Sequence, residues 1–449
     1  MKRRIALGAL MVVTASGCGS WKRVQSADRV SPSETLTQFL NIGAYYKRLG
    51  RLAAGDPLPF VGTVAFAAGP ADTAIAILGV SLENRAFSFQ KEGNTFVARY
   101  HVDMSFTRPG APPIVASRDQ IIRVPLFAET QRADESVLFQ QVFRLTPGKY
   151  HVMIDVRDLT TGTTARAESD YDAPAFGPGT TSQPILAYQV RGRASRNDTL
   201  SVVLNPRGSV AYGGDTLLAY VEAYGLRQPT RIPFEVRTDR DSVVYRDSLQ
   251  FRGGTDVESQ VLRLRPDSMA LGELKLIVGQ GTDQRQTSAL VSFSNAWVLT
   301  NFDDMISLLR YFGHNAALDT LRNAPPSERA RIWLAFFHST DPNQSTPENE
   351  ALNAYFTRVT MANQRFRDEG PNGWRTDRGE VFITLGEPDE TYETTPGSIG
   401  GRVIRWTYVN LRVSLYFIDE TSFGRFRLDP ASRAAFDDVR ARVRRAAPG

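Results

Sequence analysis

Thr95-Phe96-Val97-Ala98-Arg99-Tyr100-His101-Val102-Asp103-Met104-Ser105-Phe106 carries the pattern that sets the fold class. Phe96, Ala98, Tyr100, Val102, Met104 and Phe106 fall at every second position, with mostly polar residues between them. A strand sends successive side chains to opposite faces. A period of two therefore buries one set and leaves the other in water. Tyr150, Val152, Ile154 and Val156 repeat the pattern. Glycines and prolines separate such runs, so residues 57–175 are predicted to form a β-sandwich. His101 and His151 fall on the outward faces of these strands and need no special role there.

The segment Leu145-Thr146-Pro147-Gly148-Lys149-Tyr150 is a turn leading into a strand. It resembles the late strands of immunoglobulin-like or fibronectin-like sandwiches. A second strand-rich block covers 187–296. There Leu217 to Tyr224 follows the turn signal Gly213-Gly214-Asp215. Val261-Leu262-Arg263-Leu264-Arg265-Pro266 echoes Val142-Phe143-Arg144-Leu145-Thr146-Pro147, which makes the two blocks related sandwiches. Between them, Phe176-Gly177-Pro178-Gly179-Thr180-Thr181-Ser182-Gln183-Pro184 reads as a linker.

Helical spacing begins near 302. Phe302, Met305, Ile306, Leu309 and Phe312 form one stripe that Gly313 can end. Ser327 can cap a helix carrying Ile332, Trp333, Phe336 and Phe337. Thr346-Pro347-Glu348 offers the start of a third, with Leu352, Tyr355, Phe356, Val359, Ala362 and Phe366 on its inner face. Strands are expected at 380–386, 403–410, 412–419 and 424–428, and Pro430 can begin a last helix. The whole is a multi-domain, mainly β chain. It comprises two immunoglobulin-like β-sandwiches (57–175 and 187–296) and an α+β domain at 297–449.

Within that last unit stands Gly373-Trp374-Arg375-Thr376-Asp377-Arg378-Gly379. Before it come Asp341-Pro342, Tyr355-Phe356 and Ala362-Asn363. After it come Gly386-Glu387-Pro388-Asp389 and Trp406-Thr407-Tyr408. These ordered blocks, over roughly 296–430, resemble the GWxTD domain of bacterial envelope proteins. The resemblance identifies a domain and supplies no activity. His338-Ser339-Thr340 departs from it, since relatives often carry basic residues there.

Two readings of the motif follow from its residue types. In the first, Trp374 is an apolar anchor whose indole N–H needs a partner. Gly370, Gly373 and Gly379 then permit positive φ or close backbone approach, and Thr376 and Asp377 bond nearby N–H groups. In the second, Asp377, Glu387 and Asp389, with Glu380 and Glu390, gather at the ends of one strand. There they would do acid–base work on a glycan or hold a divalent cation. The first is the weightier, because it accounts for every motif position.

The four histidines, His101, His151, His314 and His338, are scattered and form no zinc motif. No GxSxG elbow, P-loop or dinucleotide loop occurs. No cofactor is implied.

The first residues address location. Met1-Lys2-Arg3-Arg4 is a positive start, and Ile5 to Ala15 is an uncharged, mostly apolar run too short to span a bilayer. Ala15-Ser16-Gly17-Cys18 resembles a lipobox, with Ala15 where leucine is usual. Residues 1–17 are thus expected to be a lipoprotein signal peptide. Cys18, the single cysteine, is expected to carry acyl chains and anchor the chain in a bilayer. Residues 18–56 then read as a tether and short helix. Gly19 lacks the acid that retains lipoproteins at the inner membrane, so an outer-membrane, periplasm-facing location is expected.

The net charge of +5 includes three cations in the first four residues. The near-neutral remainder argues against a nucleic-acid partner. Six lysines against 47 arginines reflect a compositional bias. The expected role is a structural or protein-interaction lipoprotein with an envelope protein partner. The alternatives are a glycan-hydrolase-like carboxylate enzyme and a carbohydrate-binding accessory.

Overall fold

The structure is a computed structural model, and it describes residues 42–134, 137–214, 216–265, 270–346, 348–370, 372–394, 402–419 and 423–446. The expected signal peptide, Cys18 and the expected tether up to residue 41 lie outside the described residues.

The deciding stretch is one strand, Thr95–Thr107. Ala98, Tyr100, Val102, Met104 and Phe106 are buried, as the period of two requires. Phe96 is half-buried beside Phe127, with ring centroids 5.7 Å apart. This strand pairs with Ile114–Val124 on one side and with Gly148–Asp158 and Gln90–Glu92 on the other. Thr164–Ala173 completes the sheet. A second antiparallel sheet runs in the order Leu52–Ala54, Phe60–Ala68, Ala74–Leu82, Val137–Leu145. The two close over one apolar core holding Phe60, Phe106, Phe143 and Tyr150.

A second pair of sheets follows. One is ordered Ser201–Leu204, Ile185–Arg191, Leu217–Tyr224, Val257–Leu264. The other is ordered Ser209–Ala211, Arg285–Ser292, Gly272–Val278, Thr230–Thr238, Val243–Phe251. Its Ser209–Ala211 pairing with Arg285–Ser292 is parallel.

The two sandwiches are not separate beads. Phe60–Ala68 and Ala74–Leu82 are buried at nearly every position, on both faces. Their outer face packs on the second sandwich through Ile77, Ile185, Val202, Leu204 and Tyr220. At Gly79 a Cβ would stand 3.2 Å from Leu204 Cβ, so the sheets approach closely there. Runs that stay apolar instead of alternating are the sequence sign of a sheet covered on both faces. Tyr45 and Tyr46, on the Ile42–Arg48 helix, are buried against Val61, Leu290 and Val298.

The stretch read as a linker is also packed. Phe176, Thr181 and Ser182 are buried. Gly179 N–H donates to Tyr224 O at 2.7 Å and Ser182 N–H to Glu222 O at 2.8 Å, so the segment pairs with the Leu217–Tyr224 strand.

The C-terminal part holds the helices Phe302–Leu308, Asn315–Asn323, Pro326–Ser339, Glu350–Arg365, Asp377–Leu385 and Pro430–Ala446. With them goes an antiparallel sheet of Glu390–Thr394, Arg402–Tyr408, Val413–Asp419 and Arg427–Leu428. Its core is continuous with the second sandwich. Phe293 meets Trp333 at 4.9 Å and Trp297 meets Phe356 at 4.3 Å.

Several local expectations are corrected. Residues 380–385 belong to the Asp377–Leu385 helix, not to a strand. Val381, Phe382 and Ile383 are all buried, and a short apolar run has no period to separate the two states. The helix expected at Thr346 begins at Glu350, where Asn349 caps it by accepting from Leu352 N–H at 2.9 Å. Pro325, not Ser327, occupies the cap position of the Pro326 helix. The first helix ends at Leu308 in a 3₁₀ turn, before Gly313.

One joint ties the first sandwich to the C-terminal part. Arg132 Nε lies 3.1 Å from Glu348 Oε1, and its Nη2 lies 2.6 Å from Asp134. Asn353 Nδ2 donates to Glu348 Oε2 at 2.6 Å, and Trp297 Nε1 donates to Asn353 Oδ1 at 2.9 Å. Burial, then the Asp134 carboxylate, pushes Glu348 up to about 7. An acid whose pKa is raised by folding binds more protons folded than unfolded. Stability is then lost as pH rises from the ordinary glutamate value through 7. Glu348→Gln is expected to lose less stability than wild type between pH 5 and pH 8, measured by urea midpoints. Parallel losses in the two proteins would remove Glu348 as the cause.

Candidate functional site

The signature residues build a junction between two turns of helix. Gly373–Arg375 is a 3₁₀ turn, and Asp377–Leu385 is the helix that follows it. Thr376 caps that helix. Its Oγ1 accepts from Gly379 N–H at 3.0 Å and donates to Gly373 O at 2.8 Å.

The two glycines allow contact. A Cβ on Gly379 would lie 2.3 Å from Gly373 O, and one on Gly373 would lie 2.8 Å from Asn363 O. Close approach, not positive φ, explains both. Gly386 does use positive φ (85°) to end the helix. Its carbonyl accepts from Tyr408 Oη at 3.0 Å. Pro388 beside it is buried.

Trp374 is 1% exposed and packs edge-on against Tyr311 at 6.3 Å. The guanidinium groups of Arg375 and Arg310 lie 4.8 and 5.3 Å from its ring. Its indole N–H finds no hydrogen-bond partner among the described residues, contrary to the sequence expectation. Arg378 is held between the rings of Phe366 and Phe426, at 4.9 and 4.7 Å, and pairs with Glu369 and Asp368.

The candidate acids are placed apart. Asp377 opens the helix. Its Oδ2 accepts from Leu428 N–H at 2.8 Å, across fifty-one positions of chain, and its Oδ1 lies 3.2 Å from Arg433 Nη2. Glu380 pairs with Arg433 at 2.8 Å and Arg440 at 3.0 Å. Glu387 and Asp389 lie beyond the other end. The Asp377–Leu385 helix, a rise of about 12 Å, stands between the two groups. Glu387 pairs with Arg365 at 2.5 Å. Asp389 Oδ2 accepts from Val409 N–H at 2.7 Å and holds the end of the following hairpin. Glu390 is exposed at the start of the Glu390–Thr394 strand. Thus Asp377 shares a partner with Glu380, and Glu387 and Asp389 each have their own. Among the described residues no group of three histidine, cysteine or acidic side chains is arranged to hold a metal ion.

Sequence reasoning missed one constellation. On the outer face of the first sandwich, Ser117 Oγ lies 2.9 Å from His101 Nε2, and Asp119 Oδ1 lies 2.5 Å from His101 Nδ1. That is the order of a nucleophile, base and orienting acid. Asp103 also lies 3.1 Å from Nε2, however. The hydrogen bond to Asp119 is the largest cause raising the His101 pKa, and Asp103 adds to it. Both favour the imidazolium, which cannot take a serine proton. The arrangement is a cross-strand charge ladder that register pairing (His101 opposite Asp119) would have revealed.

The family model of the GWxTD domain matches residues 275–421. The match begins inside the second sandwich, whose Val291 and Phe293 share the core of the helices. No curated protein matches. The solved structures it is similar to include a trypsin-activated alpha-2-macroglobulin from Escherichia coli, at 11% identity and TM-score 0.17. That similarity covers 52% of this chain and 17% of the other. A biofilm-associated protein BSP domain matches at 6% identity and TM-score 0.16, covering 55% of this chain and 54% of the other. The calcium binding domain CBD12 of CALX1.1 matches at 12% identity and TM-score 0.13, covering 61% and 92%. At such TM-scores none of them bears on the fold or the function.

Proposed function

We propose that this chain is an envelope lipoprotein, anchored through acylated Cys18 at the periplasmic face of the outer membrane. It works there as a structural or protein-interaction component and not as an enzyme. The observation that carries the reading is the use of the signature residues. Thr376 caps a helix, Asp377 holds Leu428 and Arg433, and Asp389 holds Val409. An acid–base pair needs two carboxyls aimed at one reacting group, and these are spent on separate parts of the fold.

A partner has strand edges to meet. Among the described residues Ile114–Val124 pairs on one side only, and it exposes Val115 and Ile121. Val243–Phe251 ends its sheet and exposes Val243 and Tyr245. Unpaired edges of this kind accept another chain by strand addition.

Cross-linking in intact envelopes tests the reading. Wild type should yield a specific protein adduct, and Glu387→Gln and Asp389→Asn, both folded, should yield the same one. Absence of any adduct, or turnover of envelope glycan that Glu387→Gln abolishes, would overturn it.

A further inference from the structure

Three arginines span the interface between the sandwiches. Two of them bring a carboxylate. Arg193 meets Glu222 at 2.7 Å with side-chain exposures of 1% and 0%, and Arg207 meets Glu83 at 3.1 Å with 5% and 6%. The third, Arg51, has no acid within ion-pair distance among the described residues. Its Nη1 donates to Thr63 Oγ1 at 2.7 Å and its Nη2 to Ser288 O at 2.8 Å. Its Nε is buried and has no hydrogen-bond partner among the described residues. Burial lowers its pKa, with Tyr171 and Tyr46 acting in the opposite direction. A guanidinium taken from water without a counter-charge is costly, and the fold avoids that cost at the other two positions.

Arg51 lines a cavity of about 800 Å³ between the two sandwiches. Gly208 makes room for it: a Cβ there would lie 2.2 Å from Arg51 Nη2. Asp170, on the same cavity, pairs with His151 at 2.9 Å. Arg285, Asp170 and Asp172 also stand on its wall, and none of them is ion-paired with Arg51 among the described residues. We propose that this cavity is a binding site for an anionic ligand, whose carboxylate or phosphate supplies to Arg51 the counter-ion that Glu222 and Glu83 supply to Arg193 and Arg207. A planar guanidinium matches either group in a two-pronged contact. The volume falls in the range of small-molecule sites, enough for a sugar acid or sugar phosphate.

The test is titration calorimetry on the full chain in detergent, with inorganic phosphate and with glucuronate, at ionic strength held constant by sodium chloride. Wild type should bind at least one of them saturably. Response to phosphate alone assigns a phosphoryl ligand, and response to glucuronate a carboxylate. Arg51→Met should weaken binding at least tenfold, while its melting temperature without ligand stays at or above that of wild type. Should that variant fail to fold, Arg51→Lys, which keeps the charge but not the fork, should bind measurably more weakly. No saturable binding of either anion by wild type, or unchanged binding in the variants, overturns the proposal.

Discussion

Glu222→Ala is expected to destabilise the protein by about 3–5 kcal/mol, the cost of leaving a buried charge unpaired. Glu222 is fully buried and accepts from four groups. Arg193 Nε and Nη2 lie at 2.7 and 2.9 Å, Tyr220 Oη at 2.7 Å and Tyr224 Oη at 2.8 Å. Arg193 Nη2 also reaches Ala68 O, and Tyr224 Oη accepts from Ala68 N–H at 3.0 Å, so the network clasps the first sandwich to the second. Truncation strands all of these donors in a place water does not reach. Urea denaturation checks the magnitude. Replacing both partners, Arg193→Met with Glu222→Leu, should recover part of the loss, because no unpaired charge is left, although the Tyr220 and Tyr224 hydroxyls and Ala68 O lose their partners. Equal losses in the single and double variants would show that the charge is not the cause.

Trp374→Ala is expected to cost about 3–5 kcal/mol, the usual range for deleting a buried aromatic. Its ring fills the space between Tyr311 and the Gly373 turn, and it belongs to the core shared by the helices and the second sandwich. Trp374→Phe should cost far less, about 1 kcal/mol, since volume is largely kept and the replaced indole N–H has no partner to lose. Because the core is continuous, the loss should appear in one unfolding transition covering both parts. A separate early transition for the C-terminal helices would contradict the shared core.

Much of the fold was legible because alternation is local. Val102 and Ile154 declare a buried face without help from distant residues, and both are buried. The same holds for Leu352, Tyr355, Phe356 and Val359 at helical spacing. What failed was the state of short apolar runs and the fate of the polar segment between the sandwiches. Val381-Phe382-Ile383 is helical because Thr376 caps the turn before it and helices pack around it. The stretch from Phe176 to Pro184 reads as a linker by composition, yet it lies against Glu222 and Tyr224.

Of the site, the roles of Thr376 and the glycines could be read from residue type. The partners of Asp377 could not, since Leu428 and Arg433 are more than fifty positions away. Arg193, Arg207 and Arg51 were invisible among 47 arginines, because a bridging role is set by tertiary contacts alone.

We propose that the chain is a lipid-anchored component of the cell envelope. Mass spectrometry of the native N-terminus, with membrane fractionation, tests it most directly. A mature chain beginning at acylated Cys18 in the outer-membrane fraction is expected, with a Cys18→Ser variant that leaves that fraction. A wild-type protein that is soluble and unacylated would contradict it.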